Sequence, residues 1–232
     1  MNEMNRVAAA GDDRPVVIFG NQMSASLAWY CLLHDSPYQI AAFTVDQAYV
    51  GGGSYEGLPL VPFETLEAYY PPADFRLLIP MGYQRINGVR RERYEAAKRR
   101  GYTFINYISS RASVWPDLKV GENVLIYEHA VIQPFASIGD NCIIRSGAHI
   151  SHHCRIASHA FVAAQVAMGG EGHVGEQAFV GVGAVLRDRI RVAERTFIGA
   201  GAVVVQPTEA DGVYVGNPAR KQAKTAFEAS GG

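Results

Sequence analysis

Net charge, long apolar runs and cysteine are all scarce in this 232-residue chain. Lys and Arg total 21 against 22 Asp and Glu, a formal balance of -1. That leaves no global attraction to nucleic acid or anionic lipid, so any polyanion site has to be local, and neither kind of partner is expected. No apolar run reaches the roughly eighteen residues of a membrane span. The opening MNEMNRVAAAGDDRP lacks the apolar core of a secretory signal. The three cysteines, at 31, 142 and 154, make no even disulfide framework. These absences point to a reducing cytoplasm. A hydrophobic content of 48% excludes a disordered chain and suits one large or two small folded domains.

The two halves have different rhythms. After a start expected to be flexible (residues 1–14), residues 15–107 alternate short apolar runs with helical segments, the pattern of a small α/β unit on a parallel sheet. Pro15 to Gly20 reads as a strand, Ser24 to His34 as a helix with Ser24 as its cap, and Gln39 to Asp46 as a second strand. GGGSYEGLPLVP reads as loop, Phe75 to Pro80 as a third strand, Asn87 to Arg100 as a basic helix, and Tyr102 to Ile108 as a fourth strand. This is about one mononucleotide-binding half, a Rossmann-like domain.

From Ile108 every sixth residue through Val204 is Ile, Val, Leu or Met, without a slip. The fifth position of the same hexads is mostly small: Ala112, Ala130, Cys142, Ala148, Cys154, Ala160 and so on. Such a run specifies a parallel β-helix of hexapeptide type over residues 108–206, with 207–232 as a C-terminal tail. Three six-residue sides close one triangular coil, the aliphatic residue filling the prism and the small one fitting its corner. Residues eighteen apart are therefore stacked neighbours, about 4.8 Å apart. The flat sides and open ends of such a solenoid call for covering, so an oligomer is expected. Cys142 and Cys154 occupy inward positions, which argues against a nucleophilic thiol.

Five of the seven histidines, at 129, 149, 152, 153 and 159, fall close together, none at an inward position. The ordinary reading of each is a solvated or interface residue. His152 differs, because Gly170 lies one coil above it and sets a bare backbone N–H beside the ring. A neutral imidazole can take a proton from a nucleophile, and a peptide N–H can stabilise an oxyanion; acyl transfer needs both.

The α/β start, the hexads, the segment Ile150-Ser151-His152-His153-Cys154-Arg155-Ile156 and the ending Gly212-Val213-Tyr214-Val215-Gly216-Asn217-Pro218-Ala219-Arg220 resemble the bacterial sugar O-/N-acyltransferases. That family includes sialic acid O-acetyltransferase and the bacillosamine-pathway N-acetyltransferase. The resemblance implies a left-handed β-helix, a homotrimer, and acetyl-CoA as co-substrate bound between neighbouring helices, with no metal. It further implies His152 as general base, with His153 beside it, and Gly170 as the amide facing the thioester carbonyl. Gly181, Gly183, Ala184, Gly199, Gly201 and Ala202 match the surface along which pantetheine lies; equally, these glycines are tight corners. Pro218, Arg220 and Lys221 match the tail near the adenosine end, or else form a solvated terminus.

Three departures accompany the resemblance. The residue after the base is commonly Glu or Asp, but here it is His153, so a carboxylate for His152 would have to come from Glu128, Asp140 or another chain. A second family histidine is replaced by Phe161, with His159 two positions early. The glycine-rich G-x-G-G-H loop appears as Gly20-Asn21-Gln22-Met23-Ser24, where a phosphate can still meet the helix N-terminus. With Asp46, Gly82, Tyr83 and Asn87 at strand ends, Gly20, Asn21, Gln22 and Ser24 form the expected nucleotide-sugar site. The basic helix, with Arg90, Arg91, Arg93, Lys98, Arg99 and Arg100, reads as a solvated face.

The expected activity is acetyl transfer from acetyl-CoA to an amino group, in second place a hydroxyl, of a nucleotide-linked sugar, in surface polysaccharide biosynthesis. Two alternatives stay open: a zinc hydratase of the γ-carbonic-anhydrase type using the clustered histidines, and a non-catalytic sugar-nucleotide-binding scaffold.

Overall fold

The computed structural model describes residues 12–231. Of the start expected to be flexible, residues 1–11 lie outside that range. Residues 12–14 are tied down: the Arg14 guanidinium donates to Asp12, to Pro72 O and to Thr103.

The N-terminal unit is a five-stranded sheet. Strands β1 (Val16–Phe19), β2 (Ile40–Val45), β3 (Ser54–Tyr55), β4 (Leu58–Pro62) and β5 (Arg76–Leu78) lie in the order β3-β4-β2-β1-β5. All pairings are parallel except the β3–β4 hairpin. Val16, Val17 and Ile18 are fully buried because helices α1 (Met23–Asp35) and α2 (Gly88–Arg99) belong to the same unit and β1 is central. Three sequence expectations need correction here. GGGSYEGLPLVP is not plain loop, since alternating Leu58 to Pro62 pairs with β2. Ser24 does not cap α1; it lies inside the first turn, after an N-cap Gln22 that makes no side-chain bond. The fourth strand does not form: Phe104 makes one bridge to Leu77, and Tyr107–Ile108 is already the first rung of the next domain.

That domain is a parallel β-helix of two-residue strands in three sheets. Side I runs upward through Leu125–Ile126, Ile143–Ile144, Phe161–Val162, Phe179–Val180 and Phe197–Ile198. Side II contains His149–Ile150 and Ala167–Met168, and side III contains Arg155–Ile156, His173–Val174 and Arg191–Val192. Register partners are eighteen apart throughout, as His149↔Ala167 and Arg155↔His173 illustrate. The aliphatic and small positions make one continuous core with Cys142 and Cys154 at zero exposure. Burial pushes the Cys142 thiol up to about 12, so it stays protonated and inert.

One regularity escaped the hydrophobic pattern. The fourth position of each hexad, from Asn123 to Gly201, has a positive φ, whether the residue is Asn, Gly, His, Gln, Arg, Phe or Glu. The corner is thus turned by a left-handed residue, and the side chain there points away from the prism. Each of the three corners consequently carries its own column.

The column between sides III and I is buried. Asn123 donates to Asn141, and the Asn141 amide nitrogen lies 2.8 Å from His159 Nδ1. An amide NH₂ only donates, so Nδ1 accepts and the His159 proton sits on Nε2. Burial, then Arg91 and Arg90, bring its pKa down to about 4. Over this column lies Arg90, fully buried and without a carboxylate partner. Its guanidinium donates to five carbonyls: Asn141, His159 and Ala160 of the β-helix, and Met81 and Gly82 of the loop before α2. The basic helix is therefore largely not a solvated face. Arg90 is the joint, Arg91 reaches Glu95 and Glu176, Lys98 pairs with Glu122, and Arg100 pairs with Glu67.

The last residues return to the N-terminal unit. Strands Gly212–Val215 and Arg220–Thr225 form a hairpin on side I, followed by helix α3 (Ala226–Ala229). Ser230 Oγ then accepts from Ile86 N at 2.6 Å.

Candidate active site

His152 sits at the corner between sides II and III. It is exposed, and its position is fixed by the coils above and below. Its backbone N–H donates to Gln133 Oε1 at 2.9 Å, and its carbonyl accepts from Glu171 N. A Cβ built on Gly170 would come within 2.6 Å of His152 Cε1 and 2.8 Å of Nε2. Only glycine leaves that seat to the ring. Among the described residues, no protein group accepts a hydrogen bond from Gly170 N–H. The ring thus occupies the side-chain position of a residue whose N–H is unpaired among the described residues, as stacking by eighteen brings the two residues together.

The second nitrogen of His152 has a partner as well. Nδ1 lies 3.1 Å from Nδ1 of His153. Two neutral imidazoles share one hydrogen across such a contact. If His152 donates, its Nε2 keeps a lone pair and is a base; if it accepts, Nε2 carries the proton and is not. His153 is itself held by its left-handed backbone, φ 58, and by ring contact with Phe135 at 4.7 Å between centroids. Neither carboxylate considered from the sequence reaches His152 within one chain. Glu128 is at the corner between sides I and II, bonded to Ser146, and Asp140 is at the corner between III and I, bonded to Glu122 N. Gln133 and Phe135 were missed, although Phe135, one coil below His153, had a usable signal in its spacing of eighteen; Gln133 stacks under Ser151 and reaches the next residue's N–H.

Apart from the contact between His152 and His153, the clustered histidines do not come together. His129 and His149 lie away from the His152 corner, and His159 is buried in its own column. Among the described residues no group of three or more His, Cys, Asp or Glu could hold a metal ion. The zinc reading lacks its ligand cluster here.

The glycine and alanine steps separate into two kinds. Ala184 and Ala202 have zero exposure and fill the prism, so their side chains meet no ligand. A Cβ on Gly181 would strike Ala200 N and Ile198 O, and one on Gly199 would strike Val215, so packing alone explains these two. Gly183 and Gly201 have φ of +67° and +65° and open space outside. They alone of the six keep an open face for a ligand. In the tail, Pro218 and Arg220 are exposed, while Lys221 pairs with Glu209.

A second cleft, of about 710 Å³, opens at the carboxyl edge of the N-terminal sheet. Gly20, Asn21, Gln22, Ser24, Asp46, Gly82 and Tyr83 all line it. Asn87 does not: it is fully buried, and its amide donates to Gln177 O and Ala178 O. Asp46 is paired with Arg93 at 2.6 Å, a cleft residue that sequence reasoning had assigned to solvent. Gly20 needs its glycine, at φ +116, to turn the chain out of β1. Tyr83 lies against the aromatic column Phe161, Phe179 and Phe197 on side I, with its ring 4.1 Å from that of Phe179. Ser230 closes one end of the cleft, a contribution with no signal in the sequence.

The cleft stands over side I, whereas His152 is at the opposite vertex of the triangle. Within one chain the two sites face different directions.

Repeat and fold together are similar to those of sugar acyltransferases that carry hexapeptide repeats. Residues 135–170 match the family model "Bacterial transferase hexapeptide (six repeats)". Among solved structures, PerB from Caulobacter crescentus, in complex with CoA and GDP-perosamine, is 27% identical with a TM-score of 0.81, covering 90% of this chain and 97% of its own. A mutant of that perosamine N-acetyltransferase, with the same two ligands, gives 26% and 0.83 over the same shares. The acetyltransferase domain of PglB from Neisseria gonorrhoeae FA1090 has the same fold, with a TM-score of 0.79 at 23% identity over 90% of this chain and all of that one. No curated protein matches the chain. No helix among the described residues is long and apolar enough to cross a membrane.

Proposed function

We propose that this protein transfers an acetyl group from acetyl-CoA to the amino group of a nucleotide-linked sugar. The observation that carries the reading is the exposed His152 ring seated where a side chain on Gly170 would be, at a residue whose N–H makes no protein hydrogen bond among the described residues. In the reaction the sugar amine attacks the thioester carbonyl, His152 Nε2 takes the proton lost by the amine, and Gly170 N–H faces the developing oxyanion. The C–S bond breaks and CoA leaves as thiolate, with no covalent bond to the protein. His153 acts by accepting the Nδ1 proton of His152, which selects the basic tautomer. PerB supports this choice of acceptor, since it was solved with CoA and GDP-perosamine.

In this reading residues 15–107 are a Rossmann-like nucleotide-sugar domain and residues 108–206 a left-handed β-helix. The nucleotide lies in the cleft of Gly20, Ser24, Asp46 and Tyr83. Because that cleft and His152 occupy opposite sides of one prism, a complete site needs the cleft of one copy beside the His152 corner of another. A homotrimer provides such a pairing in closed cyclic form. CoA then runs past Gly183 and Gly201, and the enzyme works in the cytoplasm.

The test is release of free thiol from acetyl-CoA with a panel of nucleotide-linked amino sugars and free sialic acids. Turnover with an amino sugar is expected; no turnover with any acceptor, together with no CoA binding, overturns the reading. Gly170→Ala adds a second check. The variant keeps the backbone N–H, and the atoms it displaces belong to the exposed His152 ring, so the β-helix stays folded and turnover is expected to fall about 100-fold through the displaced base. Near-normal turnover with an unchanged melting temperature would remove the ring and amide pair from the mechanism.

A further inference from the structure

Side III carries an unusual column. Arg155, His173 and Arg191 are consecutive partners in parallel register, so their side chains leave the same face one above another. Strand spacing puts the two arginine stems about 10 Å apart, with the imidazole between them. Two guanidinium groups on one face with only an imidazole between them concentrate positive charge there, which a carboxylate of the protein could offset.

The protein does not supply one. Arg76, Arg85, Arg90, Arg91, Arg93 and Arg100 all donate to protein acceptors. Arg155 and Arg191 make no ion pair and no side-chain hydrogen bond among the described residues. The acids around them are engaged elsewhere: Glu171 with Arg189, Glu176 with Arg91, and Glu194 with Arg195. His173 registers the uncompensated field, its pKa lowered by burial and then by Arg191 and Arg155. The column also lines a hollow of about 670 Å³ whose other walls include His152 and His153. The unpaired positive charge therefore adjoins the proposed base.

We propose that Arg155, His173 and Arg191 form a binding site for a diphosphate group that anchors a substrate beside His152. The geometry suits this group better than a single carboxylate, because two guanidinium forks approaching from strands two apart can each bind one phosphoryl unit. The proposal rests on the acyl-transfer reading for its setting. Both reactants in that reading carry a diphosphate, one in CoA and one in the nucleotide-linked sugar.

Binding of inorganic pyrophosphate to the full-length protein, measured by calorimetry at low and moderate salt, tests the site without requiring turnover. Wild type is expected to bind, and Arg155→Gln/Arg191→Gln to bind at least about tenfold more weakly with a shallower salt dependence. In the thiol-release assay, a rise confined to the acceptor KM assigns the column to the nucleotide sugar, and a rise confined to the acetyl-CoA KM assigns it to the donor. Unchanged pyrophosphate binding, with both KM values within about twofold of wild type, overturns the proposal. So does a double variant whose only change, read by light scattering, is in oligomeric state, because side III is then an interface between copies. Should no acceptor be turned over, the pyrophosphate measurement still decides this proposal separately from the activity.

Discussion

His152→Ala lowers kcat by about 10²- to 10⁴-fold, the usual contribution of a positioned general base. The fold survives, because the ring is exposed and its loss opens no cavity in the prism. KM for acetyl-CoA changes little, since the ring acts on the acceptor's proton. Steady-state thiol release with thermal melting of the same preparation checks both parts. A variant within about tenfold of wild type in kcat would show that the amine reaches the thioester already deprotonated. His153 sharpens the test. As a positioning residue, His153→Ala should lose activity in part, and His153→Asp should recover it, because a carboxylate accepts the same Nδ1 proton and better stabilises the charged ring. A purely structural role for His153 predicts no such recovery.

Arg90→Met destabilises the protein by about 3 to 5 kcal/mol, the range for removing one partner from a buried charged network. Five carbonyls lose their donor at once, three of them in the β-helix and two in the loop before α2. Burial has already brought the guanidinium pKa down to about 10, yet it remains charged at neutral pH and its hydrogen bonds are charge-assisted. Lysine cannot substitute, as a compact ammonium does not present a planar fork to both units. Denaturant unfolding measures the loss, and limited proteolysis locates it, with cleavage expected first near Gly82 where the joint opens. A loss under about 1 kcal/mol would mean that water enters the seat and satisfies the carbonyls.

The β-helix was legible because its core obeys one rule repeated along the chain, and the pairing of His152 with Gly170 follows from the same arithmetic. The corner conformation was not legible, because the left-handed position accepts Asn, Gly, His, Gln, Arg, Phe and Glu alike. Composition at that position gives no pattern when the side chains leave the core. Arg90 was hidden for a related reason. A basic helix normally faces water, and nothing local to α2 shows that a column of buried carbonyls awaits it 51 to 70 residues on. In the N-terminal cleft, strand-end positions such as Gly20 and Asp46 were readable, since parallel sheets put them at one edge. Asn87 was misread because its amide serves a distant corner, and Ser24, which does line the cleft, was misread only as a cap, since the N-cap falls two residues earlier at Gln22.

The three corner columns also limit how this gene can change length. Insertion of one residue between Ile108 and Val204 exchanges inward and outward positions for everything that follows. Insertion of six restores the core but turns each later segment onto the next side. Placed between His152 and Gly170, it would take Gly170 off its seat above the ring, and placed anywhere before Phe179, it would take that ring from its place against Tyr83. Only steps of eighteen preserve both, and only where they do not part His152 from Gly170 or Asn141 from His159. Viable relatives of different size should therefore differ by whole coils near the ends of the prism, while the coils from Asn141 to Gln177 keep a fixed length.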